Sequence, residues 1–254
     1  MAAGKTAPLT RMFLYDAQGS DREVSLTPDL LDMTGQDVLL WIDITGRDPN
    51  DLQGALGIVP LDQRSFTALA AADPPARVDN YGTYQQFCVL PATTDECSAD
   101  DTPDASEGRL DFIVGENWVV TVHDCPLTYL REFRAQDKAD TRTGALSAQA
   151  FSASLLDWHL EAYFREVARI EALIDLLDER ALAEPASEQL PGRILAVRRH
   201  ISRLRRRLAA QRPVFYGLVR PDVAAQSPDD SQEAYALLNQ RYERAIDEIE
   251  RTRE

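Results

Sequence analysis

Two kinds of side-chain pattern in this sequence could do chemistry. The first is His123 and Cys125, two apart at the end of an apolar run, where strand alternation puts both on one face. With Cys97, or a carboxylate from residues 95–104, they offer the donors of a zinc site. The competing reading is a packed strand-end histidine beside a small buried cysteine. No HExxH and no paired CxxC accompanies them, so the packed reading is favoured. The second pattern is acidic. Asp175, Asp178 and Glu179 on one predicted helix, and Glu243, Asp247 and Glu250 on another, have spacings that gather charge on one side. Such a face can draw hydrated magnesium without caging it. The plainer alternative is a solvated helix face offset by arginines.

Other chemistry finds little support. There is no GxSxG, no Gly-rich phosphate loop and no Cys/His pair with an orienting acid, so an enzyme is not expected. The net charge of −15 argues against generic nucleic-acid binding, which needs an excess of Lys and Arg. The same charge attracts cations over about a Debye length. Three cysteines, Cys88, Cys97 and Cys125, are an odd number without CxxC spacing, which suggests a reducing compartment and no disulfide framework. No signal peptide and no 18-residue apolar run is evident, so the chain is expected to be soluble and cytoplasmic.

The elements that must carry these residues change period near the middle. Strands are predicted at 11–15 and 23–26 as an opening hairpin, then at 37–43, 84–90, 110–114 and 118–123. Short helices are predicted at 49–57 and 61–72, and residues 93–108 read as an acidic exposed loop. This interleaving predicts an α/β fold, a mixed-sheet α/β/α layer domain over 1–126.

A helical extension then covers 127–230. It opens with a short helix at 127–135 and a loop at 140–146. Next, an acidic helix carries the seam Leu156, Leu160, Tyr163, Val167, Ile170, Ile174, Leu177 and Ala181. Glu184-Pro185 and Pro191-Gly192 bracket a break. A basic helix follows, with the seam Ile194, Val197, Ile201, Leu204 and Leu208, ending before Pro213, and a Pro-rich loop spans 220–230. The two coiled-coil-like helices are expected to pair antiparallel with unlike charges facing across their flanks. This makes RNA binding by the arginines the lesser reading. His159 and His200 sit beside the seams as packed or flank positions.

Residues 231–254 form a last helix whose apolar positions are Tyr235, Leu238, Tyr242, Ala245 and Ile249. At about 1.5 Å per residue it is roughly 35 Å long. No Gly, Asn or Pro stops it, so it is expected to run on past Glu254.

In order and spacing, several stretches resemble the cytoplasmic half of the CorA family of divalent-cation transporters, including its zinc-transporting ZntB branch. They are Trp41-Ile42-Asp43; Arg77-Val78-Asp79-Asn80-Tyr81-Gly82 before the 84–90 strand; Trp118 to His123; the long acidic helix; and Tyr242 to Glu254. The resemblance covers Met12 to Glu254. It implies a cytosolic regulatory funnel of a homopentamer at the inner membrane, the last helix being the start of a stalk leading to a missing transmembrane region. It also implies divalent cations (Mg2+, Co2+ or Zn2+) as ligands, with no tightly bound cofactor. Many magnesium-transporting members carry an acidic pair where this chain has Thr67 and Ala68, and a partner carboxylate where it has Leu237. None of these three can supply a carboxylate to a hard cation, so the family's intersubunit magnesium sensor is not expected. The rival readings are a free-standing coiled-coil scaffold that docks partner helices, and a zinc-dependent hydrolase using His123 and Cys125.

Overall fold

The computed structural model describes residues 9–71, 76–92, 108–136, 142–183, 190–224 and 229–252. Seven strands form one mixed sheet: β1 (Leu9–Asp16), β2 (Arg22–Val24), β3 (Val38–Thr45), β4 (Asp79–Asn80), β5 (Gln85–Val89), β6 (Leu110–Val114) and β7 (Trp118–His123). Their spatial order is β2-β1-β3-β7-β6-β5-β4. Among the described strands only β3 and β7 pair in parallel, Leu40 opposite Trp118 through to Thr45 opposite His123. Both central strands are apolar runs because the sheet is covered on both faces. Leu39 and Trp41 of β3 enter one core, and Leu40, Ile42 and Ile44 enter the other.

The smaller core lies under two short helices, α1 (Pro49–Leu56) and α2 (Gln63–Ala70). Each starts as its sequence dictates. Asp48 and Asp62 are N-caps whose carboxylates accept the backbone N–H of Asn50 and Arg64, and Pro49 opens α1. The larger core runs from the opposite sheet face into the helical half: α3 (Thr128–Ala135), α4 (Ala148–Ala183), α5 (Leu190–Ala210), α6 (Arg212–Leu218), α7 (Pro221–Ala224) and α8 (Asp229–Arg251). One apolar cluster therefore joins sheet residues such as Val119 to Ile249 near the end of α8.

The helix α4 is longer than its seam suggests, 36 residues or about 54 Å. Residues Ala148 to Ala153 are buried on every side, between the sheet and α8. Before it, a 3-10 turn (Thr143–Ala145) closes on the β1–β3 edge. A Cβ on Gly144 would lie 2.6 Å from the Tyr15 and Asp37 carbonyls, so only glycine fits.

The predicted break falls between α4, which ends at Ala183, and α5, which begins at Leu190, so that Pro191 and Gly192 lie in the first turn of α5, where a missing N–H costs nothing. Two expectations need correction. The 220–230 loop contains the one-turn helix α7. Acidic and basic flanks of α4 and α5 do not pair as a set. Among the described residues the only charge contact between these helices is His200 with Glu166, at 2.7 Å. Two further regions lie outside the described residues: 93–107 of the acidic loop, and 184–189 between α4 and α5.

Candidate functional site

Charge is concentrated at the carboxyl ends of β3 and β7. The Asp43 carboxylate is buried and accepts from Thr121 Oγ1 at 2.6 Å and from Arg134 of α3. Trp41 Nε1 donates to Thr121 at 2.9 Å. His123 Nε2 lies 3.1 Å from Asp43 Oδ1 and its Nδ1 lies 2.7 Å from the Cys125 carbonyl. Both ring nitrogens face acceptors, so the ring donates to both only when doubly protonated. Burial pushes the Asp43 carboxyl up, but the His123 contact, Thr121 and Arg134 together hold it below the usual carboxylate range.

Beside it, Asp111 receives Arg47 at 2.6 Å and Arg109 at 2.8 Å. Arg47 also reaches Asp124 at 2.5 Å. Arg109 caps the end of α2 by donating to the carbonyls of Ala68, Leu69 and Ala71. These groups lock β3, β6, β7, α2 and α3 together.

Among the described residues this arrangement offers no open zinc site at the strand end. The His123 nitrogens are engaged, and Cys125 is disulfide-bonded. That corrects the expectation of a chain in a reducing compartment with no disulfide; buried Cys88 is not part of a disulfide. Cysteine spacing carries no information about pairing across distant parts of the chain. Cys97 and residues 95–104, the other suggested donors, lie outside the described residues.

A second polar cluster joins the helices to the sheet. His159 of α4 is fully buried; its Nε2 donates to Gln211 Oε1 at 2.9 Å and its Nδ1 accepts from Tyr129 of α3 at 3.2 Å. The Gln211 amide donates to the Leu90 carbonyl and to Tyr163 Oη, each at 3.0 Å. Arg207 adds bonds to the Pro91 and Gly108 carbonyls. Burial drives the His159 ring down to about 4, consistent with this neutral tautomer.

The terminal helix α8 is held on two sides. Its seam of Tyr235, Leu238, Tyr242, Ala245 and Ile249 is buried, each at most 4% exposed. Tyr242 stacks on Phe215 with centroids 4.5 Å apart and donates to the Leu208 carbonyl. On one flank Arg241 binds Asp157 at 3.0 Å and also Glu161, both of α4. On the other, Glu243 accepts from Tyr216 at 2.9 Å and Arg212 at 3.4 Å, and Glu250 pairs with Arg205 of α5 at 2.8 Å. Residues 241 and 250 are nine apart, two and a half turns at about 3.6 residues per turn, hence on opposite sides.

The acidic candidates scatter over these surfaces. Asp175, Asp178 and Glu179 are exposed on the far half of α4. Glu243 and Glu250 are engaged with arginines, and exposed Asp247 lines a groove of about 980 Å³ between α4 and α8. Among the described residues no group of three or more His, Cys, Asp or Glu is placed to hold an ion. The Thr67 hydroxyl donates to the Gln63 carbonyl within α2, and Leu237 stands 58% exposed on α8. No described helix is long and apolar enough to cross a membrane. Sequence reading missed Arg47, Arg109, Arg134, Gln211 and Arg241. The one available signal was an acid, Asp43, closing an otherwise apolar strand.

Comparison with known proteins agrees with this architecture. The full-length CmaX protein superimposes with a TM-score of 0.76 at 18% identity, covering 99% of this chain and 75% of that one. The soluble domain of CorA from Methanocaldococcus jannaschii gives 0.74 at 16% identity, covering 95% and 92%. The ZntB cytoplasmic domain from Vibrio parahaemolyticus gives 0.61 at 11%, covering 95% and 94%. At these identities the likeness shows the fold, that of the CorA soluble domain. No curated protein sequence matches the chain. The family model described as CorA-like Mg2+ transporter protein matches residues 36–254, and the chain belongs to that family.

Proposed function

We propose that this chain is the cytosolic regulatory domain of a CorA-like divalent-cation transporter, assembled as a homopentameric funnel at the inner membrane. It performs no bond chemistry. Its role is to pass a conformational state to the pore through α8, as a shift between subunit packings. The observation that carries this reading is the double grip on α8. The same α4 that holds Arg241 also carries Tyr163, which donates to the Leu90 carbonyl beside β5, and His159, which is linked to the same carbonyl through Gln211. A displacement of the sheet relative to α4 is therefore delivered to α8. Cations are drawn to the acidic helix faces collectively, by field, and not into one cage.

The test is uptake of Mg2+, Co2+ and Zn2+ into proteoliposomes of the transporter carrying this domain, followed with cation-sensitive dyes. Flux of at least one cation is expected. Absence of flux for all three, with the protein folded and inserted, overturns the reading.

A further inference from the structure

The grip on α8 has a direction. Tyr235 bonds to Ser152, Arg241 to Asp157 and Thr252 to Glu171, partners 83, 84 and 81 residues apart, so α8 runs parallel to α4 at a near-constant offset. On the other flank the order reverses: Glu243 meets Arg212 of α6 and Glu250 meets Arg205 of α5. Both partners move by seven residues, so the same contact recurs every two turns. Helix α8 thus lies in a cleft between α4 and α5, and the cleft runs on past Thr252. Beyond Glu171, α4 continues to Ala183, about 18 Å. That stretch keeps the pattern that faces α8. Asp175 and Leu182 fall on the stripe of Asp157, Glu161 and Glu171, in steps of three and four, and Glu179 is one turn on from Asp175. On α5, Arg198 and Ile194 fall on the stripe of Arg205 and Ile201. Leu182 is 86% exposed and Ile194 39%. Asp175, Glu179 and Arg198 are exposed with no ion-pair partner among the described residues. The Thr252 N–H still donates to the Glu248 carbonyl, so α8 keeps its helical bonding up to the open part of the cleft.

Resting on the reading of this chain as one domain of a transporter, we infer that the open part of the cleft seats the segment following Glu254, as a helix in register with α8. The chemistry of the occupant follows from what the walls leave unmet. It brings an apolar seam to cover Leu182 and Ile194. It brings a base toward Asp175 and Glu179, as Arg241 is brought to Asp157 and Glu161. It brings an acid three residues after Glu254, one heptad past Glu250, to meet Arg198 as Glu250 meets Arg205. Exposed ion pairs are individually weak, so the apolar seam supplies the attraction and the charges set the register. A second copy or a separate peptide is the weaker occupant. The following segment arrives already aligned, and its covalent link raises its effective concentration at the cleft. The seating lengthens the grip on the helix by about three turns.

Cysteine labelling of the 254-residue chain and of the transporter carrying it tests this. Leu182→Cys and Ile194→Cys lie in the cleft. Leu173→Cys and Arg203→Cys lie outside it, each two residues from a cleft position and so about 160° round its helix. Maleimide modification, read site by site by mass spectrometry, should be roughly tenfold slower in the transporter for the first pair and within about twofold for the second. All four positions are exposed, so the substitutions leave the fold intact, which circular dichroism of the 254-residue variants checks. Equal rates in the two proteins for the first pair, with cation uptake intact, overturn the seating and leave the transporter reading standing. Absence of uptake by the unaltered transporter overturns that reading, and the seating with it. Where the rates fall, a second cysteine about ten residues after Glu254, which keeps the offset to α4, locates the occupant. A short bis-maleimide should bridge it to Leu182→Cys within one chain. A bridge between two chains puts a neighbouring copy in the cleft and overturns the inference.

Discussion

The charges at the sheet edge and those on the outer helix faces obey different physics. At the ends of β3 and β7, Asp43 and Asp111 are buried, and each is met by arginine, with Thr121 and His123 completing the shell of Asp43. Along α4 and α5, by contrast, Asp175, Asp178, Glu179, Arg199, Arg203 and Arg206 stand in water with no ion-pair partner among the described residues. A buried charge that loses its partner is costly, whereas an exposed one contributes little to a single chain. The first set therefore fixes the protomer, and the second contributes little to it.

Cutting each set should separate them. Asp43→Ala leaves Arg134 and His123 facing a vacated carboxylate position in the core, and should cost about 3–5 kcal/mol in chemical denaturation. Tyr242→Ala, which removes the buried ring stacked on Phe215, should cost on the order of 3–5 kcal/mol by the same measurement.

Acid should act next. The unfolded His159 ring takes up a proton near 6.5 and the folded one only near 4. Between those values the unfolded chain binds more protons, so stability falls as pH drops from 6.5 toward 4, by roughly 3 kcal/mol. Asp43 adds in the same direction. Its folded carboxyl is held below the ordinary value of 3.8, so its contribution is present above that value and is lost as pH falls below it. His159→Gln should flatten the 6.5-to-4 part of the melting-temperature profile. The smallest effect belongs to the outer face: Arg203→Ala should change protomer stability by no more than about 0.5 kcal/mol.

Legibility in the sequence follows the same division. The strands of the sheet other than the two-residue β4 were readable because apolar runs bounded by turns are local, and β6 and β7 fall where their residues predict. The seam of α8 was readable for the same reason, and all five of its positions are buried. The first turns of α4 were not. Apart from Phe151, Ala148 to Ala153 are small or polar around the helix, and only their burial between two layers makes them helical core. Nor was the Asp43 cluster, whose partners lie 78 to 91 residues away. Helical periodicity located the acidic and basic faces of α4 and α5. It could not say which of these charges are engaged by α8, because that depends on where α8 packs.

The grip on α8 is the central claim, and cation uptake tests it most directly. Proteoliposomes of the transporter carrying Arg241→Ala, Arg205→Ala and Arg212→Ala would be compared with the unaltered protein across a range of cation concentrations on the side that bears this domain. Transmission through α8 predicts that flux persists but its dependence on that concentration weakens or shifts. An unchanged dependence, with all three pairs cut and the domain still folded, would contradict it.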